Sequence, residues 1–233
     1  MAWADLKDLC KLPKPNRFYR FVCKLGRAVT KLTGGLEIIG KENIESDSGL
    51  IITANHFSFA DPPILAFSSP RQISFMAKSE LFKVPILKQI LLKLEAFPVK
   101  RGKFDRSAIT NAVELLNNER VLAMFFEGGR NPDGKLMKPT LGMATIALKA
   151  NVPIIPAAII GTDRLMPYKG GFHRSHLKVI FGHPVYISDF RNATDRELVK
   201  AISKEVALSV AELLKNNGAA NMVPDNYLME NDG

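Results

Sequence analysis

Short apolar runs bounded by glycine, proline or polar residues alternate with segments of helical period along most of this chain. Val121-Leu122-Ala123-Met124-Phe125-Phe126 is the plainest of them. It has no polar face, and a strand can carry such a run only where both sides of its sheet are covered. Leu36–Gly40, Gly49–Ala54, Gln72–Ala77, Ile154–Gly161 and Leu177–Phe181 read as further strands. Pro62–Phe67, Phe104–Asn118, Leu141–Ala150 and Asp195–Asn217 read as helices between or after them. The alternation predicts an α/β fold, with a mostly parallel sheet covered by helices on both faces. At 233 residues, 46% of them hydrophobic, the chain can bury a substantial core in one domain. We place that domain at residues 34–217, after an N-terminal arm (1–33) and before a tail (218–233) with no periodic pattern, which is expected to be mobile.

The arm holds most of the charge excess. Of the net charge of +9, an excess of six falls in residues 1–33, where eight Lys or Arg stand against Asp5 and Asp8. Phe18, Phe21, Val22, Leu25, Ala28, Val29 and Leu32 recur at intervals of three and four, so residues 16–33 read as one amphipathic helix. Arg17, Arg20, Lys24, Arg27 and Lys31 follow the same period and flank the apolar stripe. Anionic lipid attracts such a residue by about 1 kcal/mol near the surface, and the stripe can bed into the interface beside it. An anionic membrane surface is therefore the expected partner. The plainer reading packs the helix on its own domain with its charges solvated. Nucleic acid is not expected, because no recognised nucleic-acid module surrounds the segment. No run reaches the roughly 18 apolar residues of a membrane span, and the start lacks the order of an export signal. The expected location is cytoplasmic, peripheral on the inner face of the cell membrane. Cys10 and Cys23 are too few for a disulfide framework and fit a reducing compartment. Val84–Val99, rich in Leu and Ile, reads as a second greasy helix, either part of the core or lining an acyl-chain groove.

Four blocks carry the chemistry. In Asn55-His56-Phe57-Ser58-Phe59-Ala60-Asp61-Pro62 a histidine stands five residues before an aspartate, at a strand-to-helix turn. Asp61 suits the helix N-cap, with Pro62 at the first helical position. If its carboxylate also meets the imidazole, one ring nitrogen is fixed as donor and the other is left to take a proton. No serine or cysteine is partnered with the pair, and Ser58 lacks the glycine-flanked turn of a nucleophile elbow. The pair thus reads as a general base acting on a hydroxyl of the substrate. The second block, Phe97 to Gly102, ends in the adjacent cations Lys100 and Arg101. The third, Phe126-Glu127-Gly128-Gly129-Arg130, follows a strand; an arginine beside glycines there can take a phosphate through its bidentate fork. The fourth is Val152-Pro153-Ile154-Ile155-Pro156. His173, His176 and His183 have no clustered cysteines or carboxylates, so no metal site is expected.

In this order the blocks resemble the glycerolipid acyltransferase family, whose members acylate glycerol-3-phosphate and lysophosphatidic acid, and in particular its bacterial lysophosphatidic acid acyltransferases. The resemblance runs from about Leu36 to Leu214. It implies that His56 and Asp61 are the catalytic pair, the HX4D motif of the family. Lys100, Arg101, Glu127, Gly128 and Arg130 would contact the glycerol phosphate, and Val152, Pro153 and Pro156 would shape the acyl side. The implied reaction moves an acyl group from a thioester of coenzyme A or acyl carrier protein onto 1-acylglycerol-3-phosphate, giving phosphatidic acid, with no tightly bound cofactor. The implied partners are a lysophospholipid acceptor and acyl carrier protein. Glycerol-3-phosphate or another lysolipid is the alternative acceptor. A non-catalytic peripheral lipid-binding protein is the alternative class.

Overall fold

The computed structural model describes residues 17–44, 47–99, 105–190 and 194–228. Its seven strands are β1 (Leu36–Ile39), β2 (Leu50–Ala54), β3 (Ile73–Lys78), β4 (Ala96–Val99), β5 (Val121–Phe125), β6 (Ile154–Ile160) and β7 (Leu177–Phe181). They form one sheet in the order β1-β7-β6-β2-β5-β3-β4. Every neighbouring pair is parallel except β6 with β7. The helices are α1 (Arg17–Thr33), α2 (Asp61–Ser68), α3 (Pro85–Lys93), α4 (Arg106–Asn117), α5 (Gly142–Ala150), α6 (Thr162–Leu165) and α7 (Asp195–Asn216).

The central strands β2 and β6 are buried along their whole length, as unbroken apolar runs require. Leu50, Ile52 and Ala54 pack on one face with Ile64 and Leu65 of α2. Ile51 and Leu122 pack on the other with Leu116 of α4, Ile146 of α5 and Val206 of α7. The α7 helix presents Val199, Ile202, Val206, Val210 and Leu214 to that core, and a capping box between Thr194 and Glu197 starts it. The sheet is thus covered on both faces, as the alternating pattern predicts.

Two segments differ from the sequence reading. The greasy stretch Val84–Val99 is two elements, the nine-residue α3 and the edge strand β4, because Glu95 takes a left-handed backbone (φ 59°) and turns the chain between them. Glu95 is held there by a buried ion pair with Arg120 and by the Ser74 hydroxyl, 3.1 Å away. The apolar side chains of α3 include Ile86 and Ile90, which are exposed rather than in the core. The expected mobile tail packs over residues 218–228 instead. Ala219, Met222, Val223 and Tyr227 are buried, the Leu136 amide donates to the Met222 carbonyl (2.8 Å), and the Tyr227 hydroxyl donates to the Met137 carbonyl (2.8 Å). An irregular segment that plugs a core has no period for the sequence to show. Residues 229–233 lie outside the described residues.

The α1 helix docks by the face opposite to the one its greasy stripe suggests. Tyr19, Thr30 and Thr33 are buried, and the Tyr19 hydroxyl accepts the Ile73 amide (3.1 Å). Gly26 lies so close to Phe67 that a Cβ there would come within 2.2 Å of the ring. Phe18, Phe21, Leu25, Val29 and Leu32 remain exposed. Arg27 turns inward, donating to the carbonyls of Phe67 and Ser69 at the C-terminal end of α2. Arg17, Arg20, Lys24 and Lys31 are exposed.

Candidate active site

His56 and Glu127 lie just beyond the carboxyl ends of the adjacent parallel strands β2 and β5. The following helices α2 and α5 pack on opposite faces of the sheet, an arrangement that places a crevice at this point in open α/β sheets. The turn leaving β2 is fixed by Asn55. Its side-chain amide donates to the Ile159 carbonyl (2.9 Å) and its oxygen accepts the Ile159 amide (2.8 Å), so the side chain continues the ladder to β6 after the strand ends.

Asp61 is the first residue of α2 and is fully buried, but it does not cap that helix. Its Oδ2 reaches back instead and accepts from the amides of Phe57 (2.7 Å) and Ser58 (2.8 Å) and from His56 Nδ1 (2.8 Å). The two amides aim the carboxylate at the imidazole. A carboxylate only accepts, so Nδ1 carries the proton and Nε2 is left with its lone pair. Among the described residues nothing hydrogen-bonds Nε2. One face of the ring stacks on Phe125, with centroids 3.9 Å apart and planes 14° from parallel. His56 is thus held by an edge contact, a face contact and its own backbone, with one nitrogen free for a proton.

The backbone contact comes from Glu127. Its Oε1 accepts the His56 amide (2.9 Å) and its Oε2 accepts the Met137 amide (2.9 Å). Burial, helped by the charge of Asp61, pushes this carboxyl up to about 7 against the pull of the two amides. Glu127 therefore ties the histidine loop to the segment after β5, where the resemblance implied a direct contact with glycerol phosphate. Gly128 takes φ 73°, which suits glycine, and its amide is spent on the Phe125 carbonyl (3.0 Å). It closes the turn rather than pointing a donor at a ligand.

Arg130 lies beside the histidine loop, against the ring of Phe59. Its guanidinium carbon lies 3.4 Å from the centroid of the Phe59 ring and 4.8 Å from that of Tyr168. No carboxylate or hydrogen-bond acceptor among the described residues engages it. Ser58 joins this corner together: its hydroxyl donates to the Met166 carbonyl (2.9 Å) and accepts the Ala60 amide (3.1 Å).

The structure thus brings His56, Asp61, Glu127 and Arg130 into one place. Lys100 and Arg101 lie outside the described residues. Val152 and Pro153 precede the amino end of β6, where the Pro153 carbonyl meets the Ile51 amide. His56 is five residues further along from Ile51, roughly 15 Å at the rise of a strand. These two residues instead line a separate cavity with Tyr186, Ile187, Phe190 and Leu198. Pro156 is a core residue paired with Thr53 in mid-sheet. Val152 and Pro153 therefore do not border the histidine, because they lie at the opposite end of the parallel strands β2 and β6. Asn55, Ser58 and Phe59 sit inside the first motif but have no role legible from residue type alone. Phe125, Met137 and Tyr168 reach the site only through the fold. Among the described residues no cluster of His, Cys, Asp or Glu is arranged to hold a metal ion.

Residues 35–160 match the family model described as Acyltransferase. The 1-acyl-sn-glycerol-3-phosphate acyltransferase of Bacillus subtilis (strain 168) is 31% identical over 84% of this chain and 96% of its own length. That of Streptococcus pneumoniae (strain ATCC BAA-255 / R6) is 35% identical over 64% of this chain and 54% of its own. The crystal structure of the 1-acyl-sn-glycerophosphate (LPA) acyltransferase PlsC from Thermotoga maritima superposes with a TM-score of 0.71 at 28% identity, covering 90% of this chain and 87% of that one.

Proposed function

Because the chain belongs to the acyltransferase family, we propose that it transfers an acyl group from a thioester donor to the free hydroxyl of 1-acylglycerol-3-phosphate, giving phosphatidic acid. The observation that carries the reading is the buried His56–Asp61 pair, whose free Nε2 stands beyond the same strand ends as Arg130. Nε2 takes the proton from the acceptor hydroxyl as that oxygen bonds to the thioester carbonyl carbon. Asp61 stabilises the imidazolium that results. The tetrahedral intermediate collapses with cleavage of the carbon–sulfur bond, and the imidazolium returns its proton to the departing thiolate. A thioester is already activated, so the step calls for neither an acyl-enzyme nor a metal. Arg130 takes the acceptor phosphate, and the donor is acyl-coenzyme A or an acyl carrier protein thioester. The exposed apolar stripe of α1, rimmed by Arg17, Arg20, Lys24 and Lys31, supports peripheral seating on an anionic membrane. Among the described residues no helix is long and apolar enough to cross one.

The test is an assay of the purified protein with lysophosphatidic acid or glycerol-3-phosphate, each offered with both kinds of thioester, with products identified by mass spectrometry. Phosphatidic acid is the expected product. His56→Ala is expected to lower kcat by roughly 100-fold or more, the usual cost of removing a general base. A folded His56→Ala protein of undiminished activity would remove the histidine from the mechanism.

A further inference from the structure

Phe59 is 68% exposed and Tyr168 48% exposed, yet both rings are occupied by the same cation, Arg130. Phe59 is three residues from the catalytic histidine. Tyr168 belongs to the segment after α6, which Ser58 pins to the histidine loop through the Met166 carbonyl. The two halves of this clamp are therefore tied to each other and to His56.

What the clamp does to the cation follows from its chemistry. A carboxylate partner would hold an arginine by using its N–H donors and neutralising its charge. An aromatic face holds the guanidinium through the ring quadrupole, leaving the N–H edge and the full charge available. A phosphate site needs the donors and the charge kept free but fixed in direction. We propose that Phe59 and Tyr168 are positioning residues that hold Arg130 for the phosphate of the acceptor and thereby set the affinity for phosphorylated acceptors. The proposal rests on Arg130 as the phosphate ligand. It also accounts for a large apolar ring left in solvent inside the catalytic loop, since Phe59 is used by its contact with Arg130.

The experiment is a double-mutant cycle on steady-state kinetics with lysophosphatidic acid. Phe59→Leu and Tyr168→Leu are made alone and in an Arg130→Met background, with Phe59→Trp and Tyr168→Phe as conservative controls. Phe59 is largely and Tyr168 about half in solvent, so the variants are expected to fold, which circular dichroism checks. Each leucine variant is expected to raise KM for lysophosphatidic acid by roughly 10-fold, within the range of partly desolvated cation–π contacts, with a smaller change in kcat. The conservative variants should restore KM. In the Arg130→Met background the leucine changes should add less than about two-fold, since their partner is gone. Wild-type KM in both leucine variants, or an undiminished rise without Arg130, would overturn the clamp. Arg130→Met itself separates the two levels: a raised KM keeps Arg130 as the phosphate ligand even if the clamp fails, whereas an unchanged KM removes that role and the clamp with it.

Discussion

Glu127 shows how a residue's type and its job can part. The resemblance gave it a place against glycerol phosphate, but both of its oxygens are taken by backbone amides, those of His56 and Met137. In the proposed reaction its contribution is to the position of His56, whose amide it accepts. Glu127→Gln puts an amide NH2 where one of those backbone donors needs an acceptor, and a buried donor left unmet costs about 1–3 kcal/mol. The expected outcome is a fall in kcat of roughly 10-fold or more with KM for the acceptor nearly unchanged. A substrate ligand would show the opposite split. The same carboxyl makes stability depend on pH. Its folded value of about 7 lies above the ordinary 4.5, so the fold binds its proton more tightly than the unfolded chain does. That contribution is fully present below about pH 4.5 and is lost as pH rises through about 7. Melting curves of the wild type against Glu127→Gln should therefore diverge across this window, the wild type losing stability relative to the variant. Parallel profiles would show that the carboxyl is not perturbed.

At the scale of one element, α1 carries two different faces around its circumference. Its docking face is small and polar, built on Tyr19, Gly26, Thr30 and Thr33, while its large apolar side chains point away from the domain. Packing on its own domain therefore does not consume the stripe. Phe21 (64% exposed), Leu25 (54%) and Leu32 (75%) can be changed to glutamate with little expected effect on folding. The triple variant should lose sedimentation with anionic vesicles while keeping its melting temperature and its activity on dispersed substrate. Retained vesicle binding would move the membrane contact to another surface. Gly26→Val is the contrasting case, since its side chain would enter the Phe67 ring and lower the melting temperature.

Across the whole molecule, the C-terminal segment supports the site from a distance. The Tyr227 hydroxyl binds the carbonyl of Met137, the residue whose amide holds Glu127, which in turn holds the His56 backbone. A chain ending at Asn217 would lose this support and expose the core that Met222, Val223 and Tyr227 cover. Those side chains contribute about 1.5–3 kcal/mol each before the entropy of ordering the segment is subtracted. A net loss of about 2 kcal/mol lowers the melting temperature by roughly 4–8 °C for a chain of this size. The truncated protein should melt lower by that order and show reduced kcat. Unchanged values would make the segment a passive cover.

Much of this protein is local in origin and so could be read from its order of residues. Unbroken apolar runs specify buried strands, the helical period specifies their covering helices, and a histidine five residues before an aspartate at a strand-to-helix turn needs only one loop to close on itself. His56–Asp61 is such a short-range device, which is why it was legible. The amphipathic period of α1 was legible too, but not which face would dock, because that depends on whether Phe67 and Ile73 meet a glycine and a tyrosine or a row of leucines. Glu127 to His56 spans 71 residues and Tyr227 to Met137 spans 90. Contacts at such separation are set by strand order and register, which local pattern does not encode. The same geometry sets Val152 and Pro153 apart from His56, since they precede β6 at the end of the sheet opposite to the histidine. The residues of the base and its orienter belong to the sequence; the stacking, the buried glutamate and the clamp on Arg130 exist only once the sheet has brought distant turns to one edge.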